Sequence, residues 1–201
     1  MLTSLEAAKM CRDSYTGESA GWDKWYDLNG IVAGLRYTPE GTHLVFRGSD
    51  CKEDWKRDFD MWPTYHLRLG FVHGGFIEGM DGFYDAVRRD IRGTVEITGH
   101  SLGAARGCLM AGLLDARPAQ LIVFGCPRPG FAKARSIVTA NCDKIVSYRN
   151  RIDPVPEVPW LMGMYKHVVD LTHVDSKVDT IEPFDDHSIE QYITALSLPP
   201  K

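Results

Sequence analysis

Thr94-Val95-Glu96-Ile97-Thr98-Gly99-His100-Ser101-Leu102-Gly103, followed by the small apolar run Ala104 to Leu114, decides the reading of this chain. Residues 94–98 alternate β-branched with other side chains, which predicts a short strand. Ala104 to Leu114 is compact and apolar, which predicts a buried helix. Between them, Gly99-His100-Ser101-Leu102-Gly103 is the Gly-x-Ser-x-Gly turn of a nucleophile elbow. Such a turn strains the serine backbone, so the positions two before and two after it must lack bulk; both are glycine. The hydroxyl then sits at a helix N-terminus, whose N–H groups stabilise a developing oxyanion.

Outward from the elbow, strands and helices alternate. Downstream, Gln120 to Phe124 is almost wholly apolar, as a central parallel strand covered on both faces should be. Helix is expected over Phe131 to Ala140, strand over Lys144 to Tyr148, strand over His167 to Leu171, and helix over Ser188 to Leu198. Upstream, Leu2 to Tyr15 reads as a helix with Thr3 or Ser4 as its cap. Gly17 to Asp27 is read as irregular, and Gly30 to Tyr37 with His43 to Phe46 as a hairpin turning at Pro39-Glu40-Gly41. Met61 to Gly75 reads as a connector, and Phe76 to Ile91 as one helix despite Gly79 and Gly82. This order predicts an α/β fold with a mostly parallel sheet, helices on both faces and a single domain over 1–201.

Composition narrows the partners. At 201 residues, with 44% hydrophobic and 25% charged residues, the chain can bury a core without staples. A net charge of −4 without a basic stretch gives no reason to expect nucleic acid as a partner. No segment reads as a signal peptide or an integral membrane span, so a cytoplasmic location is expected, with release by another route left open. Cys11, Cys51, Cys108, Cys126 and Cys142 are odd in number and form no Cys-x-x-Cys, which argues for reduced thiols over disulfides or zinc. No cofactor is implied, and the oligomeric state is not set by the sequence.

In open α/β sheets the reactive residues lie in loops beyond the carboxyl ends of the strands, and the elbow order is serine, acid, histidine. Asp153 follows the strand ending at Tyr148, in a loop stiffened by Pro154 and Pro156. Asp170 is the weaker alternative acid, while Asp115 and Asp143 read as surface charges. His187, just before the last helix, is the favoured base; His173 is its rival, and His167 starts a strand and so lies at the wrong end. His100 is read as filling a variable position of the elbow. In this scheme Ser101 attacks an acyl carbonyl, His187 takes its proton and Asp153 fixes the imidazole tautomer. For the oxyanion, the N–H of Leu102 needs a second donor from a loop after an early strand. Ser49 in Arg47-Gly48-Ser49 directly follows such a strand, whereas Val72-His73-Gly74-Gly75 does not, so Ser49 is preferred.

Taken together, the chain resembles the class 3 lipase family, the filamentous-fungal type of α/β-hydrolase. The resemblance runs from about Ala7 to Ile193 over motifs in order: Phe46-Arg47-Gly48-Ser49, Asp54-Trp55 with Asp58, Val72-His73-Gly74-Gly75-Phe76, the elbow, Gly125-Cys126-Pro127-Arg128-Pro129-Gly130, Asp153-Pro154-Val155-Pro156, His167 and Asp186-His187. It implies Ser101, Asp153 and His187 as the triad, Ser49 and Leu102 as oxyanion donors, a mobile lid at about residues 50–60, and no metal or organic cofactor. Ala104 and Pro129 depart from the family's usual glycine and valine.

From Cys51 to Phe59 the lid segment carries only Cys51, Trp55 and Phe59 as an apolar stripe among six charged residues. One such anchor contributes about 2 to 3 kcal/mol on burial, which makes a poor lipid-docking face. Short to medium acyl esters with little interfacial activation are therefore expected. Asp175, Asp179, Glu182, Asp185 and Asp186, opposed only by Lys177, should make the mouth acidic and disfavour anionic lipids. Trp160 to Tyr165 reads equally as part of an acyl pocket or as a packed loop. An acyltransferase or thioesterase using the same triad is the alternative activity, and a non-catalytic binding protein the more distant one.

Overall fold

The computed structural model describes residues 1–49, 62–178 and 183–199. The lid expected at residues 50–60, with Trp55 and Phe59, lies outside the described residues.

The first helix, α1 (Ser4–Thr16), starts at a capping box in which Thr3 accepts from the Glu6 amide while the Glu6 side chain accepts from the Thr3 amide. It stops at Gly17, whose positive φ no side chain favours. Beyond it, β1 (Lys24–Leu28) and β2 (Ile31–Tyr37) form an antiparallel hairpin. Its two-residue turn is Asn29-Gly30, with φ 54° and 73°, the primed geometry that matches strand twist. The expectation of irregular chain over residues 17–27 is thus corrected for its last part. β3 (Gly41–Phe46) completes the antiparallel meander.

From β3 onward the sheet is parallel, through β6 (Thr94–His100), β7 (Gln120–Phe124), β8 (Ile145–Asn150) and β9 (Leu171–Val174), in the order β1-β2-β3-β6-β7-β8-β9. Strand β9 starts four residues later than the expected His167, so His167 lies ahead of it and His173 within it. The connector read at 61–75 contains a second hairpin, β4 (Pro63–His66) with β5 (Gly70–His73). The single helix expected over 76–91 is two: α2 (Gly74–Ile77) and α3 (Met80–Val87). They part at Gly79, whose φ of 76° breaks the helical path.

Pleat alternation divides the core into two layers. Leu44 and Phe46 of β3 and Leu121 and Val123 of β7 face one cluster with α2, α3, α4 (Leu102–Leu113) and α5 (Ala132–Asn141). Val45, Ile122 and Phe124 point the other way, onto α1 and α6 (Ile189–Ser197). Helix α4 is buried along every residue from Gly103 to Leu113, which explains why its sequence shows no polar face. The described cysteines, Cys11, Cys108, Cys126 and Cys142, are free and buried.

Candidate active site

Strand β6 delivers Ser101 to the carboxyl edge of the sheet at φ 63° and ψ −130°, a backbone outside the regions a serine prefers. Strain of this kind costs about 1 to 3 kcal/mol and persists where packing over-determines it. Here the packing is main chain on main chain. A Cβ on Gly99 would lie 2.4 Å from the Gly103 carbonyl oxygen, and a Cβ on Gly103 2.3 Å from that of Phe46. The Ser101 amide donates to the Phe124 carbonyl at 3.0 Å. Its side-chain Oγ is buried and makes no hydrogen bond among the described residues.

The loop after β3 abuts this turn. A Cβ on Gly48 would approach the Ser101 Cβ to 3.1 Å, so Ser49, half-buried in the next position, belongs to a loop packed against Ser101. Leu102 is the first residue of α4, where amides lack partners inside the helix. The competing segment is used otherwise: His73 ends β5 and stacks on Phe76 at 3.9 Å, and Gly74-Gly75 open α2.

Strand β8 delivers the candidate acid. Asp153 is fully buried three residues past Asn150, and its Oδ2 accepts from His187 Nδ1 at 2.8 Å and from the Tyr192 hydroxyl at 2.5 Å. Its Oδ1 accepts from the Val155 amide at 2.9 Å. Burial alone would raise this carboxyl. The charge of His187 and the three hydrogen bonds outweigh it and hold the group below its ordinary value. A carboxylate only accepts, so His187 carries its proton on Nδ1, which leaves Nε2 as the acceptor a general base needs.

His187 ends a 3-10 turn, residues 183–187, that is tied down on its own side of the site. Asn150 donates to the Asp186 carbonyl and accepts from the Ser176 amide, both at 3.1 Å. Arg151 lies 3.5 Å from the buried Asp186 carboxylate. Gly125 leaves room for the pair, since a Cβ there would sit 2.6 Å from the His187 ring. The two halves meet where the His100 ring, one residue before Ser101, stacks on His187 with centroids 4.5 Å apart.

The other acids and histidines are elsewhere. His173 is exposed on β9, and Asp170 is exposed and paired with Arg135. Asp115 and Asp143 pair with Arg68 and Arg117 on the surface. His167 is pushed down to about 4 chiefly by burial, with Arg128 adding to it. The acidic mouth needs correction in part: Asp186 is buried against Arg151, and Asp175 lies 4.0 Å from the same guanidinium, so both brace the loop. Asp179 and Glu182 lie outside the described residues. Within 160–165, Trp160 is exposed and Tyr165 buried. Sequence reasoning passed over Tyr192, although its place on the apolar face of the last helix, five residues after His187, was a usable signal.

Among the described residues, no cluster of His, Cys, Asp or Glu is arranged to hold a metal, and no helix is long and apolar enough to cross a membrane.

A mostly parallel sheet covered on both faces, with a strained serine after a central strand and an Asp–His pair on later loops, defines the α/β-hydrolase class. The chain belongs to the lipase (class 3) family, whose family model matches residues 43–162. It is 30% identical over 137 residues to the secreted mono- and diacylglycerol lipase 1 of Fusarium solani, covering 60% of this chain and 40% of that one. It is 32% identical over 114 residues to the phospholipase A1-IIdelta of Arabidopsis thaliana, covering 51% and 28%. The chain thus spans less than half the length of these curated relatives. The solved Rhizomucor miehei triacylglyceride lipase shares the fold, with a TM-score of 0.63, 21% identity, and coverage of 87% of this chain and 77% of that one.

Proposed function

We propose that this chain hydrolyses carboxylic esters of lipids or small acyl compounds, with Ser101 as nucleophile, His187 as general base and Asp153 as its orienting carboxylate. The observation that supports it most is the buried 2.8 Å contact between His187 Nδ1 and Asp153, beside a serine held at φ 63°. Ser101 Oγ attacks the acyl carbonyl as His187 Nε2 takes its proton, and the oxyanion lies against the amides of Leu102 and Ser49. The imidazolium returns the proton to the leaving alcohol. Water then attacks the acyl-enzyme with His187 again as base. Among the described residues Ser101 Oγ makes no hydrogen bond, and catalytic hydrogen bonds often tighten only with substrate present.

The charged segment at 50–60 supports a preference for short to medium acyl chains. A fluorophosphonate probe should label the chain and fail to label Ser101→Ala. A chain-length series of chromogenic esters should peak at short or medium acyl groups. Labelling that survives Ser101→Ala, or a rate that climbs steeply once a triglyceride forms droplets, would count against the respective part of the reading. Transfer to added alcohol in preference to water would favour the acyltransferase alternative.

A further inference from the structure

A second buried histidine touches the base. His100 places Nε2 2.7 Å from the main-chain oxygen of His187 and Nδ1 2.7 Å from the Tyr15 hydroxyl. A carbonyl only accepts, so Nε2 carries the proton, and Nδ1 must then accept from the Tyr15 O–H. One tautomer satisfies both bonds. The Tyr15 hydroxyl lies in turn against the loop after β3, where a Cβ on Gly48 would come within 2.3 Å of its oxygen. One run of contacts therefore joins α1, the Gly48–Ser49 loop, the nucleophile turn and the base.

The chemistry of the site requires this ring to be neutral. When His187 accepts the Ser101 proton it becomes a cation facing His100 across a 4.5 Å stack, and a second cation there would oppose that step. Burial, with the charge of His187 added to it, lowers His100 to about 3, so the ring stays neutral through the working range. Burial likewise raises Tyr15 and keeps its donor proton in place.

We propose that His100 is a positioning residue: its Nε2–H holds the main chain of His187, and the Tyr15 O–H, by fixing the tautomer, ties that hold to the loop bearing Ser49. The proposal rests on the hydrolase reading, because it needs His187 to act as base. Misplacing a base by about 1 Å costs about a hundredfold in rate, so the hold should be visible in kcat.

The experiment compares His100→Gln, His100→Asn and Tyr15→Phe in the full chain, measuring kcat and KM on a short chromogenic ester and Tm in parallel. A glutamine amide reaches the His187 carbonyl as a donor. An asparagine can replace Nδ1 as acceptor for Tyr15 but offers no donor at the carbonyl. Expected kcat losses are about a hundredfold for His100→Asn, about tenfold for Tyr15→Phe and about tenfold or less for His100→Gln, with KM within about threefold. The low-field proton resonance of the Asp153–His187 bond should persist in His100→Gln and broaden in His100→Asn. Equal kcat in the two His100 variants, or losses that follow Tm instead of the donor, would overturn the proposal. Should His100→Asn not fold, an unchanged kcat in Tyr15→Phe overturns it alone. A wild-type chain that cleaves no ester would defeat the hydrolase reading instead, and the resonance comparison would still decide whether His100 holds His187.

Discussion

The two halves of the candidate site are built from different materials. The nucleophile half is backbone packed on backbone: Gly99 against Gly103, Gly103 against Phe46, Gly48 against His100. The acid–base half is side chains bonded to side chains and carbonyls: Asp153 to His187 and Tyr192, Asn150 and Arg151 to Asp186. The first is fixed by what cannot fit, and tolerates no added atom. The second is fixed by attraction, and should fail by degrees as single bonds are removed.

Removing the acid is the largest break expected in that contrast. Asp153→Asn should lower kcat about ten-thousandfold with little change in KM, because an amide can leave His187 in the wrong tautomer. Steady-state kinetics on a short ester check this; a loss below about tenfold would mean that another group orients the base. On the nucleophile half, Gly103→Ala should destabilise the fold by about 3 kcal/mol or more, since the new methyl meets the Phe46 carbonyl oxygen and backbone must move. Thermal melting should show a Tm lower by about 6 to 12 °C. Tyr192→Phe removes one of the three bonds on Asp153 and should lower kcat about tenfold and stability by about 1 to 2 kcal/mol. A Tyr192→Phe loss as large as that of Asp153→Asn would contradict failure by degrees.

The smallest expected effect is one of pH. His100 is lowered in the folded chain, from 6.5 to about 3, so between these values the unfolded chain binds a proton that the folded one does not. Stability is then full above about pH 6.5 and is lost as pH falls toward 3, by about 1 kcal/mol over the first unit. Asp153, also lowered, acts in the same direction further into acid. Denaturant titrations of the wild type and His100→Gln from pH 7 to 5 should converge as pH falls; parallel curves would deny the burial of a neutral His100.

The same contrast explains what was legible. Glycines forced by close approach stand in the sequence as a short motif, so the turn at Ser101 and the strand and helix around it could be read locally. The supports of Asp153 and His187 come from Asn150, Arg151, Asp186 and Tyr192, which are dispersed along the chain and make no single local motif. Chain order together with position beyond the carboxyl end of a strand selected Asp153 and His187, the pair that the structure joins. Strand β1 was missed although Asn29-Gly30 marks its hairpin, because Trp22 and Trp25 looked irregular. The short edge strand β9 was misplaced because its exposed, polar residues carry no apolar alternation. His100 looked variable because a position inside a turn gives no hint of which distant carbonyl its ring will meet.

Helix α4 has no solvent face, and the turn at Ser101 is its first residue's neighbour. Its amides should be among the slowest in the protein to exchange with deuterium, since opening them requires the whole core to open. The candidate nucleophile is therefore anchored in the part expected to melt last, while the candidate base is carried on a 3-10 turn held by side chains. Gentle heating should then silence the proposed esterase activity reversibly before the fold melts, by loosening His187 and leaving Ser101 where it was.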